Sequence, residues 1–178
     1  MEIKDFIEVN ADKWGIFQYG FMKADKIVCS DSVRKLCESN SCGFYGRTWT
    51  CPPAVGTYEE CTDSLKEYDN VFVFSTRHEL EDSFDFEGMM EGMTEHGAIA
   101  SAVIEAIKPH LPPKHLIFSG GSCKKCQKCS YPKPCRFPDT IHPTIESYGV
   151  EVNKLAASAG VNYINGQNTV TYIGCVLW

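Results

Sequence analysis

The sequence predicts an α/β fold: one domain over residues 1–178, with a central mixed sheet flanked by helices and cysteine-rich metal-binding loops. Three observations carry this. The second half alternates short β-branched or aromatic runs with segments of helical periodicity. Glycine and proline fall at the joints between them. The ten cysteines concentrate in loop-like stretches rather than on apolar faces.

In chain order, Trp14 to Cys29 reads as a strand or a hairpin. Asp31 is placed to cap a helix holding Val33, Leu36 and Cys37. Residues 40–56 are loop-like, with internal glycines, the Pro52-Pro53 pair and the aromatics Phe44, Tyr45 and Trp49. Thr57-Tyr-Glu-Glu60 is a capping box that starts a helix running to about Tyr68. Val71 to Thr76 reads as a buried strand. Met89, Met93, His96, Ala100, Val103, Ile104 and Ile107 recur at helical spacing, and Pro109 ends that helix. His115 to Ser119 is a second buried strand, turned by Gly120-Gly121 into the cysteine loop. Pro143 and Gly149 bracket a short helix. Asn153 is placed to cap another over Lys154 to Ala159, closed by Gly160, and Thr169 to Val176 forms the last strand. Whether the strands pair in parallel is not readable at this level.

A chain of 178 residues can bury a core without needing metal to fold. Its N-terminus is acidic and mixed, unlike a signal peptide, and no run reaches the roughly 20 apolar residues of a membrane span. The expectation is a cytoplasmic protein with reduced thiols and no membrane partner, in which many cysteines mean metal ligation. A net charge of −6 disfavours nucleic acid as a partner. Against that background Lys124, Lys125, Lys128, Lys133 and Arg136 make one loop locally basic. They suit solvation, compensation of a thiolate-ligated cluster, or docking of an acidic redox partner.

The cysteines form two sets of four, leaving Cys29 and Cys175 over as core or near-core thiols. The late loop, residues 120–138, holds Cys123, Cys126, Cys129 and Cys135. Two consecutive C-x2-C gaps match the way ferredoxin-like chains wrap a 4Fe-4S cluster. Zinc sites more often split their ligands into two separated pairs, so zinc is the alternative. The early block, residues 37–61, holds Cys37, Cys42, Cys51 and Cys61 at gaps of four, eight and nine residues. Four plus four suits two four-cysteine sites, although buried cysteines acting as small hydrophobes also fit the early set. Cys135 can close its own site or cross to the other one.

Several chemistries have no motif. There is no C-x3-C-x2-C run, no glycine-rich nucleotide loop and no H-E-x-x-H pair. His96 and the methionines Met89, Met90 and Met93 read as core or boundary residues. Arg47, Arg136, Tyr45 and His142 are candidate substrate contacts, should a cluster with an open iron do Lewis-acid or sulfur-transfer chemistry.

The block Cys42-Gly-Phe-Tyr-Gly-Arg-Thr-Trp-Thr-Cys51-Pro-Pro-Ala-Val-Gly-Thr resembles an uncharacterised prokaryotic family of predicted metal-binding proteins. So do Gly-Gly-Ser-Cys123-x2-Cys126-x2-Cys129-x5-Cys135-Arg-Phe-Pro and the ending Val-Thr-Tyr-Ile-Gly-Cys-Val-Leu-Trp. The likeness spans roughly residues 25 to 178. It implies metal binding, with iron–sulfur expected, in anaerobic or facultative microbes, and it supplies no reaction. By motif position it carries over Cys42, Cys51, Cys123, Cys126, Cys129 and Cys135; Cys37 and Cys61 fit the early block more loosely.

Overall fold

A computed structural model describes residues 2–178. Four strands form one sheet in the order β1-β2-β4-β3, with β1 at Gln18–Lys23, β2 at Asn70–Glu79, β3 at Leu116–Phe118 and β4 at Thr169–Leu177. All three ladders are antiparallel. The expected mixed sheet is therefore corrected in its pairing. β2 and β3 do run in the same direction, joined by α4 (Phe86–Ile107), but β4 inserts between them, so the two strands never touch. Among the described residues parallel pairing is limited to a single bridge, Ser119 to Thr144.

Alternation along β2 sends Val71 and Val73 to one face and Phe72 and Phe74 to the other. The valine face packs on Leu65 of α3 (Tyr58–Leu65) and on Leu155 and Ala156 of α5 (Val152–Ser158). The phenylalanine face packs on Ile7 of α1 (Ile3–Asn10) and on Ala100, Val103 and Ile107 of α4. The result is a helix–sheet–helix sandwich, a standard way for a two-faced sheet to bury both sides.

Local signals fixed most element starts. Thr57 and Glu60 make the expected reciprocal capping box. Gly149, at φ +74°, ends the turn after Pro143 in the left-handed region, although that turn is 3-10 rather than α. The cap of α2 (Asp31–Glu38) is Ser30, not Asp31, because the Ser30 hydroxyl accepts the Ser32 N–H. α5 begins at Val152, ahead of Asn153, with no side-chain cap. Between Trp14 and Cys29 the chain forms β1 and then a 3-10 turn at Ala24–Lys26, and the partner of β1 is β2 rather than a second hairpin arm. Among the described residues no helix is long and apolar enough to cross a membrane.

The early cysteine block connects α2 to α3, and the late loop leaves the edge strand β3. The two meet beside that edge. Thr144 N–H donates to Thr50 O at 3.2 Å, and Ser119 N–H donates to Pro143 O at 2.9 Å. The sheet edge, the 143–144 segment and the early block are thus tied at one point.

Candidate metal centre

The late loop carries no helix or strand between Phe118 and Pro138. Its course is set by local bonds. Lys133 N–H donates to Ser130 O at 2.8 Å, Ser130 Oγ to Pro134 O at 2.9 Å, and Arg136 Nη2 to Lys128 O at 2.6 Å. These fold Cys135 back toward the C-x2-C run. All four late cysteines line one narrow cavity, closed by Trp49, Thr50, Phe137 and Ile141. Its volume is about 20 Å³, room for one water-sized group. Among the described residues no three His, Cys, Asp or Glu side chains are gathered tightly enough to hold an ion. The donor set still fits a thiophilic metal: four half-buried thiols face one space on a loop with no regular structure to resist closing or spreading. Cys135 Sγ accepts the Phe137 N–H at 3.4 Å, which fixes the thiol against the loop backbone.

The early block forms the wall of this cavity. Cys123 N–H donates to Thr50 Oγ1 at 3.2 Å, and Ser122 Oγ lies 3.3 Å from Thr48 Oγ1. Trp49 Nε1 donates to Lys133 O at 3.1 Å, and its ring meets Tyr131 edge-on at 5.1 Å between centroids. Thr48 and Thr50 are buried, and their hydroxyls also lie 3.3 Å from each other. Thr50 and Thr48 were not singled out in the sequence; the only signal was their place beside Cys51.

Burial pushes the Cys37 thiol up, Glu146 adds to this, Arg34 opposes it, and Cys51 and Cys42 are near enough to add further. Cys37, Cys42 and Cys51 thus share a neighbourhood. Cys61 lies near Cys29: burial raises both thiols, Cys29 to about 11 with Cys61 as the next cause. Arg34 stands beside both groups. It is buried, its Nη1 donates to Ser147 O and reaches Cys61 Sγ at 3.8 Å, and its Nη2 donates to Gly56 O. A charged residue on an amphipathic helix carries no sequence mark of such a role. Cys175 lies in the valine-side core, as expected, and burial alone drives its thiol far up.

A second, open cleft of about 760 Å³ lies between residues 43–48 and the late loop. Cys123, Cys126 and Cys129 line it as well as the inner cavity, whereas Cys135 lines only the inner one. Arg47, Lys124 and Lys128 stand along it with Phe44 and Tyr131, and no carboxylate does. Of the four candidate substrate contacts, Arg47 alone lines this cleft. Arg136 is held by Lys128 O, Tyr45 N–H by Asn40 Oδ1 at 3.0 Å, and His142 lines neither cavity. Burial lowers the His142 pKa, with Lys108 and His115 adding to the shift.

The family model described as predicted metal-binding protein (DUF2284) matches residues 20–178, a span that includes every cysteine. The chain belongs to this family. Within DUF2284, metal binding is the stated property, and it accords with a cysteine-lined cavity. The match runs from β1 through β4 and leaves α1 outside. No curated protein and no solved structure matches the chain.

Proposed function

We propose that this DUF2284 protein is a cytoplasmic iron–sulfur protein that exchanges electrons with an acidic partner. The observation behind the reading is the cavity onto which Cys123, Cys126, Cys129 and Cys135 all open. A C-x2-C-x2-C run with a nearby fourth cysteine is the ligand grammar of a 4Fe-4S cluster. These four thiolates would hold one cluster, which supplies one-electron chemistry when bound. Cys37, Cys42, Cys51 and Cys61 are the candidate ligands of a second.

The chain's own residues supply the setting. Thr50 and Trp49 hold the loop against the early block, which limits how far the ligands can wander. Exposed Lys124, Lys125 and Lys128 raise the local positive potential, which steers an acidic partner to the loop. Protein purified without oxygen should be brown, and dithionite should bleach its visible absorption and give a low-temperature EPR signal. Colourless, EPR-silent protein would count against the reading.

A second reading draws on the open cleft. Three late cysteines face it, so a group held by them would be within reach of a small anion lodged between Arg47, Lys124 and Lys128. A cluster enzyme using this cleft would do Lewis-acid or sulfur-transfer chemistry. Loss of turnover with an unchanged reduction potential in Arg47→Ala would favour this reading over electron transfer.

A further inference from the structure

Two chemically matched surfaces share one end of the sheet. β2 and β3 both run toward the start of β4: Glu79 at the end of β2 pairs with Thr169, and Phe118, paired with Cys175, leads on into the late loop. The segment that follows β2 therefore emerges on the same end as the late loop. Met93 of α4 marks how near they come, since a Cβ on Gly121 would sit 3.6 Å from its Sδ.

The first surface is the segment from Glu79 to Glu95. Phe84 and Phe86 stand out from it at 90% and 76% exposure, and Met90 follows Phe86 one helical turn on, half exposed. Two neighbouring phenylalanines this open to water mark a contact surface. The same segment carries seven carboxylates and no lysine or arginine, in a chain whose net charge is −6. Arg77 pairs with Glu79 and His78 meets Glu95, while among the described residues Glu81, Asp82, Asp85, Glu87 and Glu91 have no cationic partner. The segment is ordered: Asp82 Oδ1 accepts the Phe84 N–H at 2.7 Å, and Asp85 accepts the Glu81 and Gly88 N–H groups at 3.0 and 2.8 Å. It therefore loses little freedom on docking. The second surface is the open cleft of about 760 Å³, where Phe44 and Tyr131 stand with Arg47, Lys124 and Lys128 and no carboxylate. Its wall at Gly43 and Gly46 is clear, because a Cβ at either would meet nothing within 4 Å. The cleft is of small-ligand size, with room for aromatic side chains and the acids beside them.

We propose that the cleft receives the Phe84–Phe86 segment of a second copy of this chain, giving a two-fold dimer with two identical contacts. The phenylalanine rings pack on Phe44 and Tyr131 and offer their faces to the cleft's cations. Glu81, Asp82 and Glu87 beside them neutralise Arg47, Lys124 and Lys128. Charge complementarity selects a second copy as the occupant: each chain presents both halves on one end, so a two-fold axis pairs acidic segment with basic cleft twice. Within one chain, among the described residues, no carboxylate of the segment pairs with a cation of the cleft, so both halves are free for the partner copy. The contact does not depend on which metal the late loop holds. It engages the cations that an acidic redox partner or a small anion would meet, so either of these competes with the dimer.

The test is sedimentation equilibrium of anaerobically purified protein. Wild type should dimerise by about 100 μM chain in about 50 mM salt, and about tenfold or more weakly in about 500 mM salt, where exposed charges are screened. Phe84→Ser, at an exposed position, should weaken the dimer about tenfold or more by removing an aromatic anchor. Glu81→Lys with Glu87→Lys makes both surfaces basic, and Lys124→Glu with Lys128→Glu makes both acidic, so each pair should be monomeric alone. An equimolar mixture of the two should dimerise, because every contact again joins opposite charges. Monomeric wild type at low salt, or a dimer that Phe84→Ser and Glu81→Lys with Glu87→Lys leave unchanged, would overturn the proposal. Those two variants lie on exposed side chains away from the cysteines, so they decide the matter even if the loop variant loses metal. With metal retained, a mixture that stays monomeric would also overturn it.

Discussion

The Cys123 N–H donates to the Thr50 hydroxyl at 3.2 Å, joining the two cysteine blocks one residue from Cys51. A net hydrogen bond of this kind contributes about 1 kcal/mol, and its loss leaves a buried N–H to find another partner. Thr50→Val should therefore leave the fold intact and loosen the late loop. Metal loss to a chelator should run about fivefold faster than in wild type, the factor that 1 kcal/mol gives. An unchanged rate would mean that this bond does not position Cys123.

Arg34 ties three segments that are remote in sequence: α2, the turn before α3 and the turn after Pro143. Arg34→Ala should cost about 3 kcal/mol in chemical denaturation, since two charge-assisted bonds go and two carbonyls lose their donor. Arg34→Lys should recover only part of this, because one ammonium cannot reproduce the planar fork. Full recovery by lysine would reduce the role of Arg34 to its charge.

Burial, followed by His78, lowers the pKa of His96 to about 4, which has a stability consequence. Between pH 6.5 and about 4 the unfolded chain binds a proton at this histidine that the folded chain does not. Stability therefore falls as pH drops through that window, by about 3 kcal/mol from this group, and is flat from it above pH 7. Denaturation midpoints of wild type and His96→Phe should diverge in pH dependence only within that window. Parallel profiles would place His96 in contact with water.

Cys126 and Cys175 make a contrast within one protein. Cys126 opens onto both cavities, whereas Cys175 is sealed in the valine-side core. Cys126→Ser should remove most metal from the late loop with little change in fold. Cys175→Ala should leave metal content unchanged and cost roughly 1 kcal/mol as a small core truncation. Metal loss from Cys175→Ala would put that thiol among the ligands.

The α/β class and the long elements were legible because burial imposes periodicity: Val71 to Phe74 alternate, and Ala100, Val103 and Ile107 repeat at helical spacing. Pairing direction was not legible, because insertion of β4 between β2 and β3 is a long-range event with no local signature. α1 lies where no boundary signal was found, yet Ile7 is fully buried. The four late cysteines line one cavity. The position of Arg34 beside Cys61 and near Cys37 is something spacing does not encode. His96 was read as a core histidine, and it is buried. The bonds that link it through Thr76 and His78 to Glu95 needed β2 laid against α4 to become visible.

The central claim is that the late cysteines hold an iron–sulfur cluster. Iron, zinc and acid-labile sulfide should be measured per chain on protein made and purified without oxygen, with Cys126→Ser beside wild type. The account predicts iron and sulfide in equal amounts, about four per chain for the late loop or about eight if the early block is also filled, with Cys126→Ser losing about four. Stoichiometric zinc with neither sulfide nor colour would contradict it.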